Sequence, residues 1–266
     1  MVHELRLVAV ALQFLTRVPV RLARFEPAWL EQCTRHFPLV GAAVGAFGVL
    51  AMTAMHALGA APLLAAVAAT AATVWLTGGF HEDGLADTCD GLGGAVERQR
   101  ALAIMKDSRL GSYGALGLVL TLAAKIALLA QLLQAHGPGA AAAALLLAQA
   151  ASRAGAATLL VLLPYAGDAE HAKAKPLARR IAPGGLAVAW GWSALLALAL
   201  AGPLQPLALP APAAWRAPLA LLAVLLLAWR MRAWLKRRLG GFTGDTLGAT
   251  QQWAELAVLG VAALGP

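Results

Sequence analysis

Residues 37–57 read FPLVGAAVGAFGVLAMTAMHA and contain no Asp, Glu, Lys or Arg. A helix needs about 20 mostly apolar residues to cross the hydrocarbon core of a bilayer, so this stretch predicts a membrane span. The whole chain agrees, since 60% of its 266 residues are hydrophobic and 13% are charged, whereas soluble domains carry roughly 25% charged residues. The sequence therefore predicts an all-α, polytopic integral membrane helical bundle.

Further apolar stretches of similar length follow along the chain, separated by short breaks. They are residues 62–80, 115–135, 139–163, 184–203, 217–235 and 250–265. Together with residues 37–57 they predict about seven transmembrane helices in a single domain, residues 1–266. The arm from Leu5 to Val20 is too short and interrupted to span, so we expect an interfacial or re-entrant helix that is broken at Pro19.

The connections between the predicted spans are of two kinds. Three of them contain no Asp, Glu, Lys or Arg, and they lie near residues 58–61, 136–138 and 204–214. Nearly all of the charge falls in the N-terminal arm and near residues 81–114, 164–183 and 236–249. If every span crosses once, the charged connections all lie on one face of the membrane.

That face carries an excess of basic residues, which the positive-inside rule places in the cytoplasm. They are Arg17, Arg21, Arg24, Arg35, Lys173, Lys175, Arg179, Arg180, Lys236, Arg237 and Arg238. Membrane orientation explains the net charge of +8 better than nucleic-acid binding does, because the basic residues cluster beside apolar segments. We therefore expect no nucleic-acid partner.

Six of the thirteen acidic residues fall between Glu82 and Asp107, directly after the second predicted span. If the chain there is helical, Asp83, Asp87 and Asp90 stand at i, i+4 and i+7 on one face. Like charges on one face destabilise a helix unless a cation lies among them. Mg²⁺ is typically held by a few carboxylates together with substrate phosphates, so this acidic stripe predicts a magnesium-dependent phosphate or pyrophosphate site.

The alternative is a solvated acidic loop whose carboxylates pair with Arg98, Arg100, Lys106 and Arg109. The regular spacing of the three aspartates beside Gly78, Gly79, Gly84 and Gly91 favours the metal site. His81 alone is weak evidence for a ligand, and it can simply orient the carboxylates.

Residues 104–114 place charge and hydroxyl groups against glycine just before the third predicted span. Lys106 and Arg109 are candidates for binding phosphate oxygens, Arg with a planar, bidentate fork. Asp107 is a candidate either to join the metal site or to hold Arg109 in place. A second interpretation remains open, because interfacial Lys and Arg often only anchor a helix end.

Two further groups of residues are candidates for substrate binding. Lys125 and Arg153 fall near the middle of apolar segments, where a charge costs about 2.5 to 3.5 kcal/mol on insertion scales. They should face the interior and either meet an anionic substrate or pair with an acid such as Glu255. The segment 240–249 contains Thr243, Gly244 and Asp245, and its glycines allow backbone N–H groups to approach phosphate, although the same pattern fits a tight turn.

Several short segments, taken in order, are more specific than the acidic stripe alone. They are residues 14–20 (FLTRVPV), 37–41 (FPLVG), 77–91, 104–114, 152–153 and 241–249 (GFTGDTLGA). In these segments, and in length and hydropathy, the chain resembles the cobalamin synthase family, the adenosylcobinamide-GDP ribazoletransferases. Glu82 departs from the commonest family pattern, and we expect it to add charge beside the acidic stripe.

The resemblance implies a reaction between adenosylcobinamide-GDP and α-ribazole or its 5′-phosphate. A ribazole oxygen attacks the phosphorus attached to cobinamide, GMP leaves, and adenosylcobalamin or its 5′-phosphate forms. This suits the predicted site, because phosphoryl transfer is catalysed mainly by positioning and charge stabilisation. Mg²⁺ would neutralise the pyrophosphate, Lys106 and Arg109 would stabilise the departing GMP, and Asp87 is the candidate general base.

The resemblance also implies a bacterial inner membrane location with the active site facing the cytoplasm. The lipid bilayer surrounds the protein, and a second copy of the chain or other cobalamin-pathway enzymes are candidate partners. Two other classes compete. A CDP-alcohol phosphotransferase-like lipid enzyme normally has Ala-Arg after its second Asp-Gly, whereas Leu92-Gly93-Gly94 follow Asp90-Gly91 here. A secondary transporter would favour coupled acids at mid-membrane and internal repeats, and neither pattern is found.

Overall fold

The computed structural model describes residues 2–22, 24–94, 97–167, 180–201 and 216–264. Over these residues the chain is helical, and its one strand-like contact is an isolated parallel bridge between Tyr165 and Phe242. The helices are α1 (Val2–Leu15), α2 (Ala28–Gln32), a 3-10 helix (Cys33–His36), α3 (Phe37–Ala57), α4 (Pro62–Thr77), α5 (Phe80–Gly93), α6 (Arg98–Lys106), α7 (Ser112–Leu162), α8 (Pro183–Ala201), α9 (Arg216–Arg238) and α10 (Gly244–Ala262). The predicted all-α fold is confirmed.

Four helical stretches in the described part of the chain are long and apolar enough to cross a membrane. They are Ala28–Ala57, Ser112–Leu162, Pro183–Leu200 and Arg216–Arg238. The bent pair Pro62–Thr77 and Phe80–Gly93 raises the number to five if it counts as one span. The polytopic helical architecture is confirmed, whereas the count of seven spans stays a prediction.

The expected break between the third and fourth spans lies inside α7. Gly137 has non-helical backbone angles, φ 80° and ψ 174°, and Pro138 follows it. A positive φ favours glycine, and proline lacks the N–H that would continue the ladder. These two residues therefore divide the 51-residue helix where the sequence predicts the link 136–138.

The distribution of polar and apolar side chains is inverted relative to a soluble protein. Leu50, Leu120 and Leu198 on long helices are 66%, 67% and 69% exposed. Arg153 and Glu255 lie inside the bundle, 2% and 1% exposed. Because water does not favour exposed leucine and charge is costly in lipid, this arrangement fits a bundle surrounded by a bilayer.

A seam of glycines brings α3 close to its neighbours. A Cβ at Gly41 would overlap the backbone carbonyl of Gln149 on α7, and one at Gly45 would lie 3.1 Å from Cα of Leu146. One turn further, a Cβ at Gly48 would lie 2.7 Å from Cγ2 of Thr73 on α4. Small residues at this spacing allow close backbone packing, which is a main source of helix association in membranes.

The second predicted span ends earlier than expected, because the chain turns sharply after Thr77. Gly78 and Gly79 both have φ of 72°, and their N–H groups bond to carbonyls of the last turn of α4, those of Trp75 and Val74. This is a glycine-terminated helix end. The resulting bend of 91° starts a new helix, α5, so Phe80 belongs to the acidic motif and not to the preceding span.

Hydrogen bonds join helix ends at the two ends of the bundle. At one end, Arg17 N–H donates to the Leu76 carbonyl and Arg238 Nη2 donates to the Leu92 carbonyl. At the other end, Arg216 Nη1 donates to the carbonyl of Ala262, the last residue of α10. The charged connections thus gather at the first end, as predicted, although Lys173, Lys175, Arg179 and the link 204–214 lie outside the described residues.

The N-terminal arm forms α1, which ends at Leu15, four positions before Pro19. Its buried face belongs to a cluster with Trp29 and Val44. Glu4 on α1 contacts His36 before α3, with 2.7 Å between Glu4 Oε2 and His36 Nε2. The helix is therefore confirmed, while its interfacial or re-entrant position in the membrane stays a prediction.

Candidate functional site at the charged end of the bundle

The acidic stripe lies on a single helix, α5, as the spacing predicts. Asp83 is exposed, and Asp87 and Asp90 are half-buried. The other side of α5 is buried and includes His81, Glu82 and Leu85. Packing of this buried side against the bundle therefore holds the three carboxylates along the opposite side.

The segment 240–249 meets the acidic helix directly. A Cβ at Gly84 would lie 2.8 Å from the backbone oxygen of Asp245, and one at Gly248 would lie 3.0 Å from the carbonyl of His81. These two glycines allow α5 and the first turn of α10 to touch through their backbones. As a result the backbone of Asp245, predicted from a separate motif, lies beside Gly84 in the acidic helix.

Thr243 defines the start of α10. Its hydroxyl accepts a hydrogen bond from the N–H of Thr246 at 3.2 Å, and the Thr246 hydroxyl accepts one from the N–H of Thr243 at 2.9 Å. This reciprocal arrangement is a capping box. The N–H of Phe242 also donates to the Pro164 carbonyl. The tight-turn interpretation of this segment is thus confirmed, and phosphate binding by Gly244 stays a prediction.

Asp90 caps the N-terminus of α7. Its Oδ2 accepts from the N–H of Gly111 at 2.8 Å, and its Oδ1 accepts from the N–H of Gly114 at 2.7 Å. A Cβ at either glycine would overlap the carboxylate. Asp90 therefore has a structural role that its place in the stripe did not predict, and it fixes the α6–α7 connection against α5.

The α6–α7 connection carries the two cationic candidates. Arg109 is held by Asp107, with its Nε 3.0 Å from Oδ1 and its Nη2 2.6 Å from Oδ2. This bidentate pair raises the pKa of Arg109 through the hydrogen bond and the charge of Asp107. Of the two roles open to Asp107, the structure shows the holding of Arg109. Lys106 and Arg109 are both exposed beside the acidic helix.

The donor atoms of the acidic stripe determine which metal ion it can hold. Among the described residues no three His, Cys, Asp or Glu side chains form a ready-made metal cluster. Asp83 and Asp87 lie one helical turn apart on the outward side of α5, so they offer two carboxylates. This donor set fits Mg²⁺, which keeps several waters and is usually completed by substrate phosphates rather than by an all-protein cage.

The buried side of α5 faces a polar network inside the bundle. Lys125 and Glu255 form an ion pair at 2.6 Å, both 1% exposed. Gln251 donates to Glu255 and to the Ser152 hydroxyl. The pairing of Lys125 with Glu255, one of the two roles considered for this lysine, is therefore confirmed.

Glu82 belongs to this network and not to the acidic stripe. Its Oε1 accepts from Nε2 of Gln252 on α10 at 3.0 Å, and its side chain is buried. The expectation that Glu82 adds charge beside the stripe is wrong, because one step along a helix turns a side chain by about 100°. The charge of Glu82 points into the bundle, away from Asp83.

Arg153 is also buried, on the C-terminal half of α7. Its Nη1 donates to the backbone oxygen and to Oε1 of Gln149, at 2.7 and 2.8 Å. Arg153 and Gly244 line the same narrow cleft, together with His81 and Gln251. Two of the predicted substrate-binding residues are thus brought together, on the other side of α5 from Asp83 and Asp87.

Sequence analysis did not single out Gln251 and Gln252, which connect the polar network. Their signal was present: two adjacent amides in a segment that was already the least apolar of the predicted spans. A polar pair in such a segment must find internal partners, and here they are Ser152, Glu82 and Glu255.

The fold and site define a polytopic helical membrane protein with a carboxylate-rich site at one end of its bundle. The family model described as cobalamin-5-phosphate synthase (CobS) matches residues 7–263. The chain belongs to this family, and the family is one of transferase enzymes. The resemblance found in the sequence is therefore confirmed over nearly the whole chain.

Curated relatives agree with the family match. An adenosylcobinamide-GDP ribazoletransferase of Leptothrix cholodnii is 56% identical over 97% of this chain and 94% of its own length. Proteins of the same name from Albidiferax ferrireducens and Polaromonas naphthalenivorans are 46% and 44% identical, covering 93% and 97% of this chain and the same shares of their own lengths. No solved structure matches the chain.

Proposed function

We propose that this protein transfers the phosphate-linked cobinamide of adenosylcobinamide-GDP to α-ribazole or α-ribazole 5′-phosphate. A hydroxyl oxygen of the ribazole forms a bond to the phosphorus attached to cobinamide, and the bond from that phosphorus to the bridging oxygen of GMP breaks. The hydroxyl proton passes to a carboxylate, and GMP leaves. The names of the relatives, adenosylcobinamide-GDP ribazoletransferase, support this substrate pair.

One structural observation supports the proposal independently of the names of the relatives. Three predicted motifs that are far apart in the sequence meet at the charged end of the bundle: the acidic helix α5, the first turn of α10 and the α6–α7 connection. Gly84 and Asp245 join the first two, and the hydrogen bonds from Gly111 and Gly114 to Asp90 join the third. Such a junction offers carboxylates and cations to one pyrophosphate.

Magnesium dependence is part of the proposal. Asp83 and Asp87 would hold Mg²⁺, with Asp90 retaining free lone pairs beside its two backbone donors and Asp107 at the edge of the site. When bound, the ion supplies positive charge that neutralises the pyrophosphate during transfer. The two outward carboxylates on consecutive turns of α5 support this assignment.

The remaining residues bind, orient and move protons. Asp87 is the half-buried middle carboxylate of the stripe, and we assign it the role of general base that accepts the ribazole hydroxyl proton. Lys106 and Arg109 bind oxygens of the departing GMP, with Asp107 orienting the fork of Arg109. Arg153, Thr243, Gly244 and Asp245 form the substrate-binding side of the junction.

The site is proposed to face the cytoplasm of a bacterial inner membrane. The gathering of charged connections at one end of the bundle and the positive-inside rule support this orientation. In a variant with Cys33 and Cys89 replaced by Ala, an impermeant thiol reagent should label Leu58→Cys from outside and leave Arg100→Cys unlabelled. Both positions are exposed, and the reverse labelling would contradict the orientation.

The decisive test is release of GMP by purified protein in nanodiscs, given adenosylcobinamide-GDP, Mg²⁺ and either form of α-ribazole. We expect release that needs all three components. A matched control is Glu26→Gln, which removes an exposed carboxylate that pairs only with Arg24 at 3.7 Å among the described ion pairs. Absence of GMP release by the wild type, or equal release without ribazole, would contradict the proposed function.

A further inference from the structure

A narrow cleft on the buried side of α5 has an aromatic mouth. Phe14 stacks on Phe37 with 5.7 Å between ring centroids, and Phe80 meets Phe14 edge-on at 5.5 Å. All three rings line the cleft. Flat apolar walls of this kind suit a planar aromatic group, because offset and edge-to-face ring contacts are favourable.

The inner part of the cleft carries a buried cation without a direct counter-ion. Arg153 is 2% exposed, and none of the ion pairs among the described residues includes it. Its Nη1 is satisfied by Gln149, whereas its Nε is buried without a hydrogen-bond partner in the described structure. An unpaired buried charge is costly, so this guanidinium is suited to an incoming anion.

The neighbouring acids Glu255 and Glu82 act on Arg153 through their charge but are not in direct contact with it among the described ion pairs and hydrogen bonds. Glu255 is already paired with Lys125 at 2.6 Å. Glu82 accepts from the amide of Gln252, and its other oxygen, Oε2, is buried without a partner. The buried network therefore contains two acids and two bases, but only one pair of them is in direct contact.

The start of α10 adds a second favourable feature for an anion. Gly244, the first residue of this 19-residue helix, lines the cleft together with Arg153 and Gln251. A helix N-terminus carries partial positive charge and favours phosphate groups. Thr243 caps the N–H of Thr246 at this end, whereas Gly244 places no side chain between its own N–H and the cleft.

We propose that this cleft binds the phosphate end of α-ribazole 5′-phosphate between Arg153 and the first turn of α10, while the aromatic base lies outside the narrow part, against Phe14, Phe37 and Phe80 at its mouth. The inference rests on the proposed function and adds a location and a selecting residue to it. Arg153 then determines the preference for the phosphorylated form of the ribazole.

The same chemistry, a phosphate ester with an aromatic base, also occurs in the guanylyl end of adenosylcobinamide-GDP. The experiment therefore compares kcat/KM for α-ribazole 5′-phosphate with kcat/KM for α-ribazole, and separately measures the KM of adenosylcobinamide-GDP. In Arg153→Gln the first ratio should fall about 10- to 100-fold, as expected for loss of a charge-assisted hydrogen bond, and the KM of adenosylcobinamide-GDP should stay unchanged. Arg153→Lys should restore part of the ratio.

Two further variants distinguish a specific loss of preference for the phosphorylated ribazole from a general loss of folded protein. The control variant Glu26→Gln removes an exposed carboxylate that does not line the cleft, and it should keep the wild-type ratio. Ala156→Leu narrows the cleft without touching any charge, and it should raise the KM of α-ribazole 5′-phosphate alone. An unchanged ratio in Arg153→Gln with a raised KM for adenosylcobinamide-GDP would overturn the inference.

Failure of the proposed function is distinguishable from failure of this inference. If the wild type releases no GMP, the proposed function fails, and calorimetry with α-ribazole 5′-phosphate on the full chain still tests the cleft. Binding that weakens in Ala156→Leu and in Arg153→Gln supports the cleft as the phosphate site. Equal binding by the wild type and both variants overturns it.

Discussion

The two sides of α5 carry carboxylates with opposite surroundings. Asp83 is exposed on the outward side, whereas its neighbour Glu82 is 8% exposed and accepts a hydrogen bond from Gln252. Both residues carry the same charge in the same motif. Position on the helix, and not residue type, therefore makes Asp83 a candidate metal ligand and Glu82 a packing contact.

This difference arises because Gly84 and Gly248 let α10 pack closely against the buried side of α5, which we call the sealed side. The outward side, which carries Asp83 and Asp87, is called the open side. Charges on the sealed side must be satisfied by protein groups, because unpaired buried charges are costly. On the open side, Asp83 is exposed to solvent. We therefore expect substitution of the α5 residues Asp83 and Asp87 on the open side to change activity, and substitution of Glu82 on the sealed side of the same helix to change stability.

The largest effect is expected for Asp87→Asn on the open side. This change removes the proposed base and one metal-binding charge but keeps the size of the side chain, so kcat for GMP release should fall at least about 100-fold. The variant should still fold, which its thermal unfolding curve in detergent checks. Turnover near the wild-type rate would mean that Asp87 is neither the general base nor an essential metal ligand. It would also count against catalysis on the open side of α5.

On the sealed side, Glu82→Ala should act in the opposite way. The amide of Gln252 loses its carboxylate partner, which should lower the free energy of unfolding by about 1–3 kcal/mol, while folded protein keeps most of its turnover. Gln252→Leu gives the matched change, and the double variant should cost less than the sum of the two. Loss of turnover by Glu82→Ala at an unchanged unfolding temperature would contradict the structural role assigned to Glu82.

Asp90 combines both kinds of role, because it lies in the acidic stripe and also caps α7. Asp90→Ala should cost about 0.5–2 kcal/mol, as for other lost helix caps, and should speed amide hydrogen exchange at Gly111 and Gly114. Gly114→Ala should reproduce the exchange effect, since its Cβ would overlap the carboxylate. Unchanged exchange in Asp90→Ala, together with a weakened Mg²⁺ response, would show that Asp90 acts only as a metal ligand.

The smallest effect is expected for the cationic pair on the α6–α7 connection. Arg109→Lys replaces a planar fork by a point charge, so kcat should fall about tenfold if the fork binds phosphate. Lys106→Arg should be nearly silent. The measurement is steady-state GMP release at saturating Mg²⁺, and wild-type kinetics for Arg109→Lys would mean that this residue only anchors a helix end.

Most of the fold was accessible from sequence because hydropathy is a local property. The apolar stretches, the break near Gly137 and the helical stripe of Asp83, Asp87 and Asp90 all follow from spacing along one segment. The sharp turn at Gly78 and Gly79 was not predicted, because glycines permit a bend without requiring one. The number of spans depends on how α4, α5 and α10 lie in lipid, which composition does not decide.

The candidate site was predicted less completely, because it is assembled by tertiary contacts. Glu82 was expected to add charge beside the stripe as a departure from the family pattern, and spacing gave Asp90 a single role. The packing of α10 and α7 against α5 decided both. The contact of Asp245 with Gly84 joins residues more than 160 positions apart and leaves no local signal. In contrast, the Lys125 and Glu255 pair was foreseeable, since a buried charge needs a partner.

The central claim is that the open side of α5 holds the metal ion used in the transfer. Asp83→Cys replaces a hard oxygen ligand by a thiolate, which prefers softer ions, and Glu82→Cys makes the same change on the sealed side. We predict that Asp83→Cys loses GMP release with Mg²⁺ and regains part of it when Cd²⁺ is added, while wild type and Glu82→Cys show no such rescue. Full Mg²⁺-dependent activity of Asp83→Cys, without any response to Cd²⁺, would contradict the claim.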